Sequence, residues 1–183
     1  MKWRSGSVLV AVVISLSCGV AMPARGQQKN DVDSILSGFP GYHLLTLKER
    51  DADTQAFILQ HFPKANTSVV HADFDGDGFL DYAMLLKSDR LAAAKLVVLL
   101  CDAKGQCRNV YESDITGYSD GAYLRPFPLG SKISPTDAAG TQERSSTVTL
   151  KAIGIQVVYF EKGRVVLYWD KKVKKVTEVP TGE

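Results

Sequence analysis

Four aspartates and two glycines fall within nine positions of the segment "HADFDGDGFLDYAMLL" (residues 71–86), which then runs straight into apolar residues. Counted from Asp73, Asp75 is third, Asp77 fifth, Gly78 sixth, Phe79 seventh and Asp81 ninth. Carboxylates at alternate positions one, three and five can turn inward around a single ion. Glycine at six permits the positive-φ turn that folds the loop back, the carbonyl of residue seven then faces the ion, and the ninth residue closes the other side. Carboxylate and carbonyl oxygens suit calcium, whereas magnesium demands a smaller and stricter cage. Zinc does not suit the set, because His71 is the only nitrogen ligand nearby.

Position twelve is Met84 where an EF-hand carries a bidentate glutamate, and the exit "YAMLL" has the composition of a strand. The expected site is therefore a calcium loop between two strands. A turn without an ion is the competing reading, since Asp-Gly pairs are ordinary hairpin signals. Four carboxylates this close repel one another unless a cation is present.

"DFDGDGFLDYAML" (residues 73–85) resembles the calcium loop of FG-GAP and VCBS-type repeats, found in integrin α-chain propellers and in exported bacterial proteins. The shared pattern is D-x-D-x-D-G-x-x-D followed by a strand. The resemblance implies one calcium ion held by Asp73, Asp75, Asp77, Asp81 and the carbonyl of Phe79. The chain carries one copy, whereas a propeller needs several blades.

The elements that must hold this loop follow a basic, apolar start. Lys2 and Arg4 precede the apolar run Val8–Leu16, and Ala24 and Gly26 stand at minus three and minus one of a cleavage site. That is the pattern of a secretory signal peptide over 1–26, with an uncleaved membrane anchor as the alternative. No other segment is long and apolar enough to span a bilayer. The 183 residues less these 26 leave 157, enough for one domain, 27–183, with its own core. The leader holds three of the 22 basic residues and none of the 20 acidic ones, so the remainder has 19 against 20, a net charge of −1. Charge gives no case for a nucleic-acid partner.

Cys101 and Cys107 flank "DAKGQ", between two strand-like runs, and can face each other across a hairpin as a disulfide, which agrees with export to the periplasm or outside the cell. Two free thiols are the alternative. "NDVDSILSGFPG" predicts a short helix, and "RDADTQAFILQHFP" a second one capped by Asp51 or Asp53 and stopped by Pro63. Strand patterns follow from Ser68. Residues 113–146 are rich in Gly, Pro, Ser and Asp and read as a long loop with one short strand near "AYLRPF". The last part reads as a meander, and in "RVVLYW" Val165, Leu167 and Trp169 share one face, with Val166 and Tyr168 on the other. The expected fold is α+β and mainly antiparallel: two short helices, then a β-meander sheet of six or more strands with the calcium loop between two of them.

Enzyme signals are few. "GYSDG" (117–121) matches G-x-S-x-G, but a nucleophile elbow needs an apolar strand before the serine and a helix after it, with the histidine later in the chain. His43, His61 and His71 all precede Ser119. "NTS" at Asn66 is a glycosylation sequon, with meaning only in an organism that glycosylates exported proteins. The expected function is a non-enzymatic exported calcium-binding domain with a structural ion. A protein or glycan partner would then bind elsewhere, through 113–146. The alternative is an envelope or secreted inhibitor or recognition protein acting on another enzyme, such as a lysozyme or protease.

Overall fold

The computed structural model describes residues 27–134 and 147–182. The signal-peptide segment 1–26 and residues 135–146 of the expected long loop lie outside the described residues. The chain begins with α1 (Gln27–Leu36), β1 (Tyr42–Leu44), a 3-10 turn (Leu47–Glu49) and α2 (Ala52–His61). Asp51 caps α2, its carboxylate accepting from the Thr54 N–H at 2.7 Å.

β2 (Val69–Ala72), β3 (Asp81–Ser88), β4 (Ala94–Cys101) and β5 (Cys107–Asp114) form the first sheet with β1, all pairs antiparallel. β1 and β2 share one edge of β3: Leu44 pairs with Leu86, and Val69 with Met84. Leu85 lies between them. Its carbonyl accepts from the Leu45 N–H, and its own N–H donates to the Ser68 carbonyl, both at 2.9 Å. The excursion 45–68, which carries α2, therefore leaves and rejoins the sheet at a single residue.

β3 and β4 are buried on both faces, which explains their unbroken apolar runs. Ala83, Leu85, Leu96, Val98 and Leu100 face the second sheet. Tyr82, Met84, Leu86, Val97 and Leu99 face the other way, where Val32, Ile35 and Leu36 of α1 pack with Phe39. This is the use of the helical spacing expected for α1.

The second sheet runs in the order β11 (Lys175–Pro180), β10 (Gly163–Asp170), β9 (Gly154–Tyr159), β6 (Ala122–Phe127). Leu124, Ile155, Val157 and Leu167 complete the core between the sheets. The alternation expected of "RVVLYW" is present: Val165, Leu167 and Trp169 turn into this core, while Val166 and Tyr168 turn outward. There Ile133 and Leu150 cover Val166 from a small ribbon of β7 (Lys132–Ile133) and β8 (Val148–Thr149). The sheets are tied along both sides. The Leu124 N–H donates to the Thr67 carbonyl at 2.7 Å, and the Tyr111 hydroxyl to Glu178 at 2.7 Å.

The architecture is mostly antiparallel β with few helices, as expected, with three corrections in detail. The strands form two sheets and a ribbon in place of one meander sheet. The long loop from 113 is largely structured up to Ile133. β5 runs to Asp114 and a 3-10 turn spans Thr116–Gly121, while the short strand expected near "AYLRPF" is present as β6, with Ala122, Tyr123 and Leu124 buried. Its Pro126 sits on the edge strand of its sheet, where proline is tolerated. The expected meander does not start as one continuous strand: residues 147–159 hold two strands, β8 and β9, broken before Gly154. A Cβ at Gly154 would lie 2.9 Å from Leu150 Cδ1 and 3.2 Å from the Leu167 carbonyl oxygen, so only glycine lets the chain double back there.

Cys101 and Cys107 pair directly across the β4–β5 hairpin with their sulfurs at bonding distance. The ring is small, so Cys101→Ser with Cys107→Ser is expected to cost about 2 kcal/mol by the loop-entropy relation. Urea denaturation checks this, and a loss above about 4 kcal/mol would mean that the bond does more than close a ring.

Candidate metal centre

The acidic loop joins β2 to β3, and Ala72 pairs with Asp81 at its neck. Phe74 anchors it by turning into the core between the sheets, so its neighbours Asp73 and Asp75 point away from that core. Gly76 and Gly78 take positive φ, at 74° and 93°. A Cβ at Gly76 would also come within 2.9 Å of Lys171 Nζ, from the β10–β11 turn, so the tip of that flexible side chain would have to shift.

The loop's N–H groups converge on its own carboxylates. Asp73 accepts from Gly76 (2.5 Å), Asp77 (3.1 Å) and Gly78 (2.9 Å). Asp75 accepts from the Asp77 N–H at 3.0 Å, and Asp77 from the Phe79 N–H at 2.9 Å. Asp81 is the fixed point. It is fully buried, with one oxygen accepting from Phe74 N–H at 2.7 Å and the other from Cys101 N–H of β4 at 2.9 Å.

Asp73, Asp75 and Asp81 each bring one carboxylate oxygen into a group within 4.8 Å of one another. Asp77 lies outside that group, and Phe79 meets the loop through its N–H to Asp77. Among the described residues no histidine or cysteine joins the cluster. His71 is exposed on β2 with its ring 6.5 Å from Tyr82. The donors are therefore all hard oxygens, which fits calcium and not zinc.

The electrostatics also fit a cation. Burial pushes the Asp81 carboxyl up to about 6, the charges of Asp75 and Asp77 add to this, and the Cys101 and Phe74 N–H groups oppose it. Asp75 is raised by burial and by the charge of Asp77. Both shifts come from burial first and from neighbouring carboxylate charge second, with backbone N–H groups opposing them. Asp75 and Asp77 also line a cleft of about 370 Å³ opposite the disulfide hairpin, where Asp102, Gln106 and Arg108 form the other wall. Arg108 is held there over the Trp169 ring, 5.7 Å from its centroid.

The other polar groups singled out in the sequence lie elsewhere. Ser119 is in a 3-10 turn followed by β6, and its hydroxyl donates to the Thr116 carbonyl at 3.3 Å, so "GYSDG" builds no strand-to-helix elbow. His61 bonds the Phe57 carbonyl through Nδ1 at 2.9 Å, near the end of α2. His43 has partners that sequence spacing did not disclose: Nδ1 is 2.7 Å from Asp89 and Nε2 is 3.0 Å from Glu49. The Asp89 hydrogen bond raises its pKa most, against burial, and Glu49 adds to the rise. Burial would push Glu49 up, but the Thr46 N–H and hydroxyl and then His43 hold it down at about 2.

These shifts have opposite signs for stability. His43 binds its proton more tightly when folded, so its contribution is complete below about 6.5 and is lost as pH rises through its raised folded value. Glu49 contributes above about 4.5 and loses that contribution as pH falls towards about 2. His43→Gln is therefore expected to destabilise the protein more at about pH 5.5 than at about pH 9 in urea denaturation. An equal loss at both would mean that His43 carries no linked proton.

Among the described residues, no helix is long and apolar enough to cross a membrane. Comparison of the chain with protein-family models, with curated proteins and with solved structures finds no match.

Proposed function

We propose that this chain is an exported, non-enzymatic calcium-binding domain whose single ion fixes the β2–β3 loop. The observation that carries the reading is the convergence of Asp73, Asp75 and Asp81 oxygens within 4.8 Å. Asp77 and the Phe79 carbonyl complete the ligand set, as the likeness to FG-GAP and VCBS-type loops implies. Asp81, held by two backbone N–H groups, orients the set from inside the fold. The ion neutralises carboxylates whose mutual repulsion otherwise opposes the loop.

Isothermal titration of chelator-treated protein with calcium tests the reading. One ion per chain is expected, with affinity at least tenfold lower in Asp73→Asn, which removes half of a carboxylate that lies inside the group. Absence of any calcium heat, or equal binding by the variant, would overturn it. A catalytic role is tested by activity on ester, phosphate and glycan substrates, where turnover above background would replace this reading.

A further inference from the structure

A second cavity, of about 290 Å³, lies between α2, the turn after β1 and the chain entering β2. Leu44, Leu47, Leu59 and Phe62 give it apolar walls, and Arg50 stands in its lining. Arg50 is only 5 % exposed. Its Nε donates to the Ala122 carbonyl at 2.8 Å, and Nη1 to the Thr46 carbonyl at 2.9 Å and the Leu45 carbonyl at 3.4 Å. Nη2 donates to Ser68 Oγ at 2.7 Å, and that hydroxyl donates its own hydrogen bond to the Leu45 carbonyl.

Every one of these acceptors is neutral. Among the described residues no carboxylate lies within ion-pair distance of Arg50. Glu49, its neighbour in sequence, is committed to Thr46 and His43. Burial lowers the Arg50 pKa to about 10 against the longer-range attraction of the Glu49 charge, which still leaves it charged at neutral pH. A buried charge is costly unless an opposite charge meets it. A neutral side chain offers at most two N–H groups, so four bonds from one point require a guanidinium, and the charge that comes with it meets no carboxylate at bonding distance.

The guanidinium has five N–H groups, and these four bonds leave one on Nη2. Asn66, also in the lining, accepts the Ser68 N–H at 3.0 Å through Oδ1, which leaves its amide N–H groups for another acceptor. We propose that this cavity binds a small monocarboxylate, with its carboxylate on Arg50 and Asn66 and a short apolar body against Leu44, Leu47, Leu59 and Phe62. The volume is near the lower end for small-molecule sites, which limits the body to a short chain or single ring. A single cation with one donor left matches one negative charge. A phosphate dianion asks for more donors, and among the described residues no second cation lines the cavity.

Hexanoate and hexanol, titrated separately into 15N-labelled protein, test this. Saturable hexanoate shifts are expected at the amides of Leu59, Phe62 and Asn66, with hexanol binding at least tenfold more weakly. Leu59→Trp, at a rim side chain that is 55 % exposed, keeps the Arg50 clip and is expected to weaken hexanoate at least tenfold. Four results would overturn the proposal: no saturable shift, shifts elsewhere, hexanol as tight as hexanoate, or binding unchanged in Leu59→Trp. Tighter binding of inorganic phosphate than of hexanoate would overturn the ligand class.

Discussion

Calcium at about one hundred times its dissociation constant is expected to raise the melting temperature of chelator-treated protein by about 5–10 °C. Binding to the folded state alone at that excess contributes about 2.7 kcal/mol. A chain of this size gains about 2–4 °C per kcal/mol. The expected source is the acidic loop, where Asp75 and Asp81 are held above their ordinary carboxylate range in the absence of an ion. Magnesium is expected to give a smaller shift, because a loop of crowded carboxylates and carbonyls does not offer its strict octahedron. Asp77→Ala tests the fourth carboxylate, which lies outside the converging three yet belongs to the implied ligand set. It should abolish most of the shift. A melting curve unchanged across a millimolar titration, in both proteins, would remove the calcium site.

Asp81→Ala is expected to destabilise the chelator-treated protein by about 2–5 kcal/mol, the loss of two hydrogen bonds at a fully buried position. The variant leaves the N–H groups of Phe74 and Cys101 without an acceptor, and each buried orphan costs about 1–3 kcal/mol. Working without the ion separates this effect from lost metal binding. Asp81→Asn should cost less, because it keeps one carbonyl oxygen for one of the two donors. Urea midpoints should fall with unchanged slope, the sign of altered stability without altered surface exposure. A change under about 0.5 kcal/mol for Asp81→Ala would show that Asp81 is only a ligand and not part of the frame.

What was legible in the sequence was local. The spacing of Val32, Ile35 and Leu36, the cap at Asp51, the cysteine hairpin and the D-x-D-x-D-G-x-x-D turn all involve residues a few positions apart, and each element is present where it was expected. The unbroken apolar runs of β3 and β4 signalled burial on both faces, but not that α1 covers one and a second sheet the other. In 113–134 the short strand at "AYLRPF" was legible as β6, but the density of glycine, proline and serine hid the reach of β5 to Asp114, the 3-10 turn and β7. Arg50 and His43 were opaque for a different reason. Arg50 meets the Ala122 carbonyl across 72 residues, and His43 meets Asp89 across 46. No spacing rule reaches that far, so a buried arginine and a paired histidine read like ordinary surface residues.

Leu85 bonds both the residue that leaves the first sheet and the residue that returns to it. β1 and β2 thus behave as one edge strand interrupted by an insert. The sheet registers only the two junctions, and the entropy of closing a loop between fixed ends grows slowly with its length. Towards β3 the insert is consequently a module whose length could change in evolution without moving the register, while Arg50 and Thr67 tie its inner side to β6 through the Ala122 carbonyl and the Leu124 N–H. The acidic loop has no such freedom, because its closing aspartate is itself the first residue of β3.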